Sequence, residues 1–309
     1  MPTVATLAMN PSIDVGLEVE RVVPTDKLRC SAEQYDPGGG GVNVARVFDR
    51  LGGNALCYYL SGGVTGPTLE SLLDRSGFAH QPIPIEGNTR ICVNVAEGAT
   101  DKDFRFVPAG PVVSESEWRR CLEVLENAGA EYVIASGSLP RGVPADFYAR
   151  VTEIARRQGA RMVLDSSGDA LREGVAAGGF HLIKPSLAEF AQLLGSEPGG
   201  IEETGAAAME LIEQGKAEMI AVTMGEDGAL LASAEGPRHL PAIRVDARSS
   251  AGAGDSFVAA MVRALSLGWE PIEAFRYGMA AGSAAVLTPG TDMCRLEDVE
   301  RLFAQSNKS

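Results

Sequence analysis

The feature that most restricts the fold is an alternation. Short apolar or β-branched runs (TVATLAM, ALCYYL, EYVIASG, RMVLDSS, FHLIKPS and EMIAVTMG) take turns with segments of helical period, such as SEWRRCLEVLENAG, DFYARVTEIARRQG and TGAAAMELIEQGK. Apolar positions recurring near every 3.6 residues mark amphipathic helices, and short unbroken apolar runs mark strands covered on both faces. Together they predict an α/β fold, a doubly wound and mostly parallel sheet with helices on either side. Two segments break the rhythm. Residues 14–22 and 88–107 alternate apolar and polar residues at period 2, which predicts antiparallel strands of a small β-sheet projecting from the body within residues 12–35 and 87–108. No repeat, low-complexity tract or Pro/Ser linker divides the chain, so residues 1–309 read as one domain carrying that sheet as an insertion, and LGSEPGGIEETG reads as a loop between helices.

Charge and cysteine content narrow the function. A formal charge of −14 argues against a general nucleic-acid or anionic-membrane surface, so any phosphate ligand must be met by a few local cations and amides. The five cysteines, at positions 30, 57, 92, 121 and 294, form no CxxC pair, which suggests neither a zinc site nor a disulfide framework and predicts reduced, buried thiols. MPTVATLAMN has no basic leader, and no run reaches the roughly 18 apolar residues of a membrane span. The expected location is the cytoplasm.

The common catalytic signatures GxxxxGK[ST], GxGxxG, HExxH and GxSxG are missing, and His80, His181 and His239 stand alone in sequence. Chemistry gathers instead around glycines. After Gly252-Ala253-Gly254-Asp255, Phe257, Val258, Met261, Val262 and Leu265 form one apolar face of a helix that starts near Gly254. A helix N-terminus exposes unpaired N–H groups and favours an anion. Asp255 is then either a first-turn carboxylate favoured by the helix dipole or a general base beside an anion hole.

A second cluster, DPGGGGVNVARVFDRLGG, runs from Asp36 through Gly38 to Gly41 into an amphipathic helix whose first turn carries Asn43. It is either a plain flexible turn or a place where a polar ligand meets backbone. In FHLIKPSLAEF a buried strand ends at Lys184-Pro185 and Glu189 follows on a helix, the arrangement in which a lysine meets phosphate and a carboxylate holds Mg²⁺ through water; ordinary surface charges fit equally. VTMGEDGALL reads as a hairpin around Gly225 and Gly228.

Taken together, NPSID, PGGGGVNVARV, SGSLPRGV, LDSSGDAL, KPSLAEF, TMGEDGALL and AGAGDSF resemble the ribokinase/PfkB family of sugar kinases from end to end. Within it, KLRC, TRICV, FRFVPAGP and LDSSGDAL look most like the 6-phosphofructokinases of the minor bacterial isozyme type. The resemblance implies a ribokinase-like body with a β-sheet lid, commonly a homodimer through the lids, and transfer of a phosphoryl group from MgATP to the 1-hydroxyl of fructose 6-phosphate. By that carry-over Asp255 is the base and the amides of Gly252, Ala253 and Gly254 form the anion hole. Asp14, Gly39 and Asn43 hold sugar hydroxyls, and Lys27, Arg90, Arg105 and Ser138 face the phosphate already on the sugar. Lys184, Thr223, Gly225 and Gly228 contact ATP, and Glu189 orders the water shell of Mg²⁺. Backbone oxygens near Ser249, Ala251, Ala285, Thr288 and Gly290 form a monovalent-cation site suited to K⁺.

One position departs from the pattern. The family's NxxE motif has Ser186 here in place of Asn, so metal binding is expected to be retained and weakened. Tagatose-6-phosphate kinase and 1-phosphofructokinase remain alternatives on the same scaffold, because one inverted hydroxyl needs only a displaced hydrogen bond. A non-catalytic sugar-phosphate or nucleotide sensor is the alternative of another class.

Overall fold

The computed structural model describes residues 4–24, 27–100, 102–246, 251–288 and 292–306. The chain opens with β1 (Val4–Ala8) and crosses at once into β2 (Ser12–Val19) and β3 (Ala32–Gly38) of a second sheet. It returns through α1 (Gly40–Arg50), β4 (Ala55–Gly62), α2 (Gly66–Ser76) and β5 (Ala79–Ile85). A second excursion supplies β6 (Arg90–Glu97) and β7 (Lys102–Phe106). Regular βα alternation follows: α3 (Glu115–Leu125), β8 (Tyr132–Ser136), α4 (Phe147–Arg157), β9 (Arg161–Asp165), α5 (Gly168–Ala177), β10 (Phe180–Ile183), α6 (Leu187–Leu194), α7 (Ile201–Glu213) and β11 (Ala217–Thr223). The hairpin β12 (Ala229–Ser233) and β13 (Gly236–Leu240) precedes α8 (Ala253–Ser266), α9 (Pro271–Ala285) and α10 (Leu296–Ser306).

The larger sheet has nine strands in the order β13-β12-β11-β10-β9-β8-β1-β4-β5. All its pairings are parallel except those of β12 with β11 and β13. Burial divides residue by residue along its strands. Leu7, Ala135 and Ile183 pack under α3 to α7 on one side, whereas Val4, Leu182 and Met219 pack under α1, α8, α9 and α10 on the other. Each fully buried Val, Leu, Ile or Met among them contributes about 1.5–3 kcal/mol through the area it removes from water.

The helix layer also positions the site. On α9, Gly278 and Gly282 lie one turn apart, and a Cβ at either would sit 3.0 Å from the Phe257 carbonyl or 3.3 Å from the Ala253 carbonyl. These small residues let α9 press against α8 and fix where α8 begins; a leucine at 278 would force the two helices apart.

The smaller sheet has the order β3-β2-β6-β7. One expectation fails here: β2 and β6, the leading strands of the two excursions, pair in parallel, and only the outer pairings to β3 and β7 are antiparallel. The reason lies in the larger sheet, where β1, β4 and β5 are mutually parallel. Strands that leave the ends of β1 and β5 therefore start out in the same direction. The LGSEPGGIEETG segment contributes a loop over residues 195–200, after which its remainder opens α7. Among the described residues no helix is long and apolar enough to cross a membrane.

Candidate active site

Cross-strand register sets the first wall of the site. Asp14 on β2 lies opposite Cys92 on β6, Ser12 lies opposite Arg90, and Asn94 lies opposite Arg105 on β7. Because side chains alternate faces at period 2, these six project from one face of the smaller sheet. They line a cavity of about 240 Å³ whose far wall is formed by Gly39, Asn43, Ala251, Gly252 and Asp255.

Asp255 sits in the first turn of α8, after Gly252 at the N-cap in a left-handed conformation (φ 71°). The first intrahelical bond runs from the Ser256 amide to the Gly252 carbonyl (2.9 Å), so the amides of Ala253, Gly254 and Asp255 precede the helical ladder. The Asp255 carboxylate is held at both ends: Asn43 Nδ2 donates to Oδ2 (2.9 Å) and Ser136 Oγ donates to Oδ1 (3.2 Å). Burial, reinforced by the negative charge of Asp165, raises its pKa from 3.8 to about 6, although Asn43, Lys184 and Ser136 pull it down.

Lys184 does not stand free at the end of β10. Its side chain is 5% exposed and its Nζ lies 3.1 Å from Asp165 Oδ1, at the end of β9. Burial works against the ammonium, but Asp165 above all, with Glu189 and Asp255, holds its pKa above the ordinary lysine value. Burial in turn lifts the Asp165 carboxyl despite that ammonium. A Cβ at Gly254 would lie 3.4 Å from Lys184 Nζ, so the cation comes right up to the start of α8.

The glycine run makes this convergence possible. Added Cβ atoms at Gly38, Gly40 and Gly41 would fall 2.2 Å from Asp14 Oδ2, 2.2 Å from Ser136 Oγ and 2.3 Å from the Leu7 carbonyl. The close approach at these three positions is of the chain to itself, and Gly39 alone of the four reaches the cavity. Asp14 accepts a hydrogen bond from Ser12 Oγ (2.6 Å), and burial raises its pKa.

Three polar atoms of the cavity-lining residues are left over. Arg90 donates to the carbonyls of Asn10 (2.7 Å) and Pro108 (3.1 Å), yet its Nε is buried without a partner, as are Asn43 Oδ1 and Asn94 Oδ1. Buried polar atoms rarely stay unpaired.

A family profile settles the kinship: that of the pfkB family carbohydrate kinases matches residues 5–298. The chain belongs to that family. This kinase is 45% identical over 304 residues, 98% of its own chain and 89% of the relative, to an ATP-dependent 6-phosphofructokinase isozyme 2 of Mycobacterium tuberculosis. It is 36% identical over 305 residues to the Escherichia coli protein of the same name, covering 98% of this chain and 99% of that one. A crystal structure of phosphofructokinase-2 from Escherichia coli in complex with potassium superposes with a TM-score of 0.95 at 36% identity, over 99% of this chain and 100% of that chain.

The structure of this kinase brings Asp14, Gly39, Asn43, Arg90, Arg105, Gly252 and Asp255 to one cavity. Lys27 is exposed on the segment after β2, outside that lining. Ser138 also lies outside it, accepting from Asn10 Nδ2 (3.2 Å) and so joined to Arg90 through Asn10. Thr223 ends β11 beside the Lys184 segment, its amide donating to the Pro185 carbonyl (3.1 Å). Gly225 and Gly228 shape the turn that follows; a Cβ at Gly228 would fall 2.1 Å from the Leu240 carbonyl, so packing alone requires glycine there.

Glu189 closes a capping box at the start of α6. Its Oε2 accepts from the Ser186 amide (2.7 Å) and Oγ (2.9 Å), and the Glu189 amide donates back to Ser186 Oγ (3.3 Å). Ser249 and Gly290 lie outside the described residues. Of the other residues expected at a cation site, Ala251 lines the cavity, and Thr288 Oγ1 lies 2.7 Å from the carbonyl oxygens of both Ala285 and Asp292, its one proton serving either. The cysteines are free, but only Cys57, Cys121 and Cys294 are buried; Cys92 faces the cavity and Cys30 is exposed, because both lie on the smaller sheet or its connection rather than in a core.

Asp165, Ser136 and Asn94 escaped the motif reading. Asp165 and Ser136 lie in LDSSGDAL and SGSLPRGV, where a strand-terminal carboxylate and hydroxyl were the signal available; Asn94 offered only its period-2 spacing from Arg90 and Cys92.

Proposed function

We propose that this kinase transfers the γ-phosphoryl group of ATP to the 1-hydroxyl of fructose 6-phosphate, giving fructose 1,6-bisphosphate. The observation that carries the reading is a carboxylate of raised pKa, held by Asn43 and Ser136 at the N-terminus of α8, in one cavity with two arginines. Asp255 takes the proton from the sugar hydroxyl as its oxygen attacks phosphorus. The amides that precede the helical ladder stabilise the charge on the transferring group, and the Lys184 ammonium at Gly254 adds to that field. Arg90 and Arg105 hold the 6-phosphate, and Asp14 and Asn43 accept from the sugar hydroxyls.

Mg²⁺ bound with the nucleotide supplies neutralisation of its phosphates. The donor set fits a metal held through water: the bonds that fix Glu189 fall on Oε2, leaving Oε1 for a water. A K⁺ site near Ala251 and the Ala285–Thr288 segment accords with the potassium complex of the Escherichia coli relative. A dimer through the smaller sheet is supported by Tyr35, Ile91 and Phe106, which stay exposed on it at 49%, 41% and 58%. Light scattering of native and Phe106→Asp protein tests it, with loss of a dimer expected and an unchanged mass against it.

The test of activity follows ADP release with MgATP and fructose 6-phosphate, fructose 1-phosphate, tagatose 6-phosphate or unphosphorylated sugars. Highest kcat/KM on fructose 6-phosphate is expected. Preference for another sugar overturns the substrate assignment, and absence of turnover on all of them favours a sensor.

A further inference from the structure

We infer that Asp165 is a positioning residue of phosphoryl transfer: its carboxylate holds the Lys184 ammonium at the start of α8 and keeps it off the base, Asp255. The inference rests on the kinase reading above. Three neighbouring strands end level with one another at this place. Ser136 on β8 is the register partner of Asp165 on β9, and Lys184 follows Ile183, whose partner on β9 is Leu164. The Lys184 amide continues that ladder by donating to the Leu164 carbonyl (3.0 Å). Ile134, Val163 and Leu182, two residues back on the same strands, belong to the core shared with α8. At a period of two, Ser136, Asp165 and Lys184 therefore aim at the same helix, at its N-terminus.

Asp165 Oδ1 lies 3.1 Å from Lys184 Nζ, while Oδ2 faces Gly254, where a Cβ would fall 3.8 Å away. A buried ammonium without a counter-charge either loses its proton or turns to another carboxylate. The carboxylates that favour the charged form of Lys184 are Asp165, Glu189 and Asp255, in that order. Glu189 is tied to the cap of α6 through Oε2. The alternative partner is therefore Asp255, next in sequence to Gly254, where Nζ already reaches. An ammonium on Asp255 would compete for the oxygen that takes the sugar proton. Charge acts in the same direction: Asp165 raises the Asp255 pKa more than Lys184 lowers it, so loss of the Asp165 charge weakens the base whether or not Lys184 keeps its proton. Also facing Asp255 are Asn43 from α1 and Ser136 from β8, and, across the cavity, Asp14, Arg90, Cys92 and Arg105 of the smaller sheet. Substitution at 165 leaves all of these in place.

The experiment measures kcat/KM against pH, with MgATP and fructose 6-phosphate, for native protein, Asp165→Asn, Lys184→Met and the double variant. Melting temperatures and Mg²⁺ titrations run alongside, and rates are read at a temperature where all four proteins remain folded. Asp165→Asn is expected to lose about tenfold or more at neutral pH, mainly through kcat. Its acid midpoint should move below the value of about 6 expected of native protein. On the Lys184→Met background the same substitution should cost no more than about twofold, because the effects of residues that act through each other do not add. The double variant, which replaces the ion pair by uncharged groups, should recover any melting temperature that Asp165→Asn alone loses. Equal losses on the two backgrounds, or a midpoint at or above that of native protein, overturn the inference and leave the kinase reading intact. A loss that excess Mg²⁺ restores also overturns it, since it assigns Asp165 to the metal. Failure of native protein to turn over overturns both.

Discussion

Replacing Asp255 by asparagine should make this kinase nearly inactive and, at neutral pH, more stable. Folding lifts the Asp255 carboxyl from 3.8 to about 6, so between those values the folded chain binds more protons than the unfolded one. Stability from this group therefore falls as pH rises through that window, and above it the ionised carboxylate remains a standing cost. Full expression of the rise corresponds to about 3 kcal/mol, and solvent in the cavity reduces it to about 1–2 kcal/mol. Asparagine removes the charge and keeps the shape. Its Oδ1 still accepts from Asn43, and its Nδ2 faces the Ser136 hydroxyl, which can accept. For a chain of 309 residues the gain appears as a melting temperature about 2–3 °C higher at pH 8, with little difference at pH 4. Activity moves oppositely, with kcat/KM falling by about 10²–10⁴ for loss of a general base. In native protein kcat/KM should rise with pH through about 6 and then level off. Calorimetry at the two pH values and initial rates across the pH series read both quantities. A variant that is less stable at pH 8, or active within tenfold of native, refutes the reasoning.

Three further substitutions probe the walls. Gly38→Ala drives a methyl group into the Asp14 carboxylate, so KM for the sugar phosphate should rise about tenfold or more by steady-state kinetics, with a smaller change in KM for ATP. Arg105→Ala removes a cavity-lining guanidinium that we propose holds the phosphate, and should raise the sugar-phosphate KM about tenfold to a hundredfold at little cost in kcat. Ser186→Asn keeps an equally good helix cap, so the melting temperature should stay within about 1 °C, while the Mg²⁺ concentration giving half-maximal rate should fall a few-fold. A Mg²⁺ titration matching that of native protein contradicts the last expectation.

The larger sheet was legible because its strands are buried on both faces and its helices carry a strong 3.6-residue period. β5 escaped that reading. Its sequence AHQPIPI holds two prolines, which lack the N–H that an interior strand must donate; the strand survives because it occupies the sheet edge. The parallel pairing of β2 with β6 was invisible for a different reason. Period-2 alternation reveals which face a residue occupies and says nothing of strand direction, which comes from the larger sheet.

The site was legible where glycine and acid adjoin. Gly252 to Asp255 announced a helix start with a carboxylate, and the structure gives that carboxylate two donors from 212 and 119 residues away. Such separations leave no local trace, so Ser136 carried no signal of its contact with Asp255. Asp165 was hidden similarly, since its partner Lys184 lies on the neighbouring strand. The glycine run was noticed for a reason the packing revises: three of its four members make room for Asp14, Ser136 and Leu7.

The most direct test of the central claim is the identity of the product formed from fructose 6-phosphate and MgATP, read by ³¹P and ¹³C nuclear magnetic resonance. The account predicts one new phosphate monoester, coupled to C1, that disappears in the Asp255→Asn protein. A phosphate at any other carbon, or ADP released with no new ester, contradicts it.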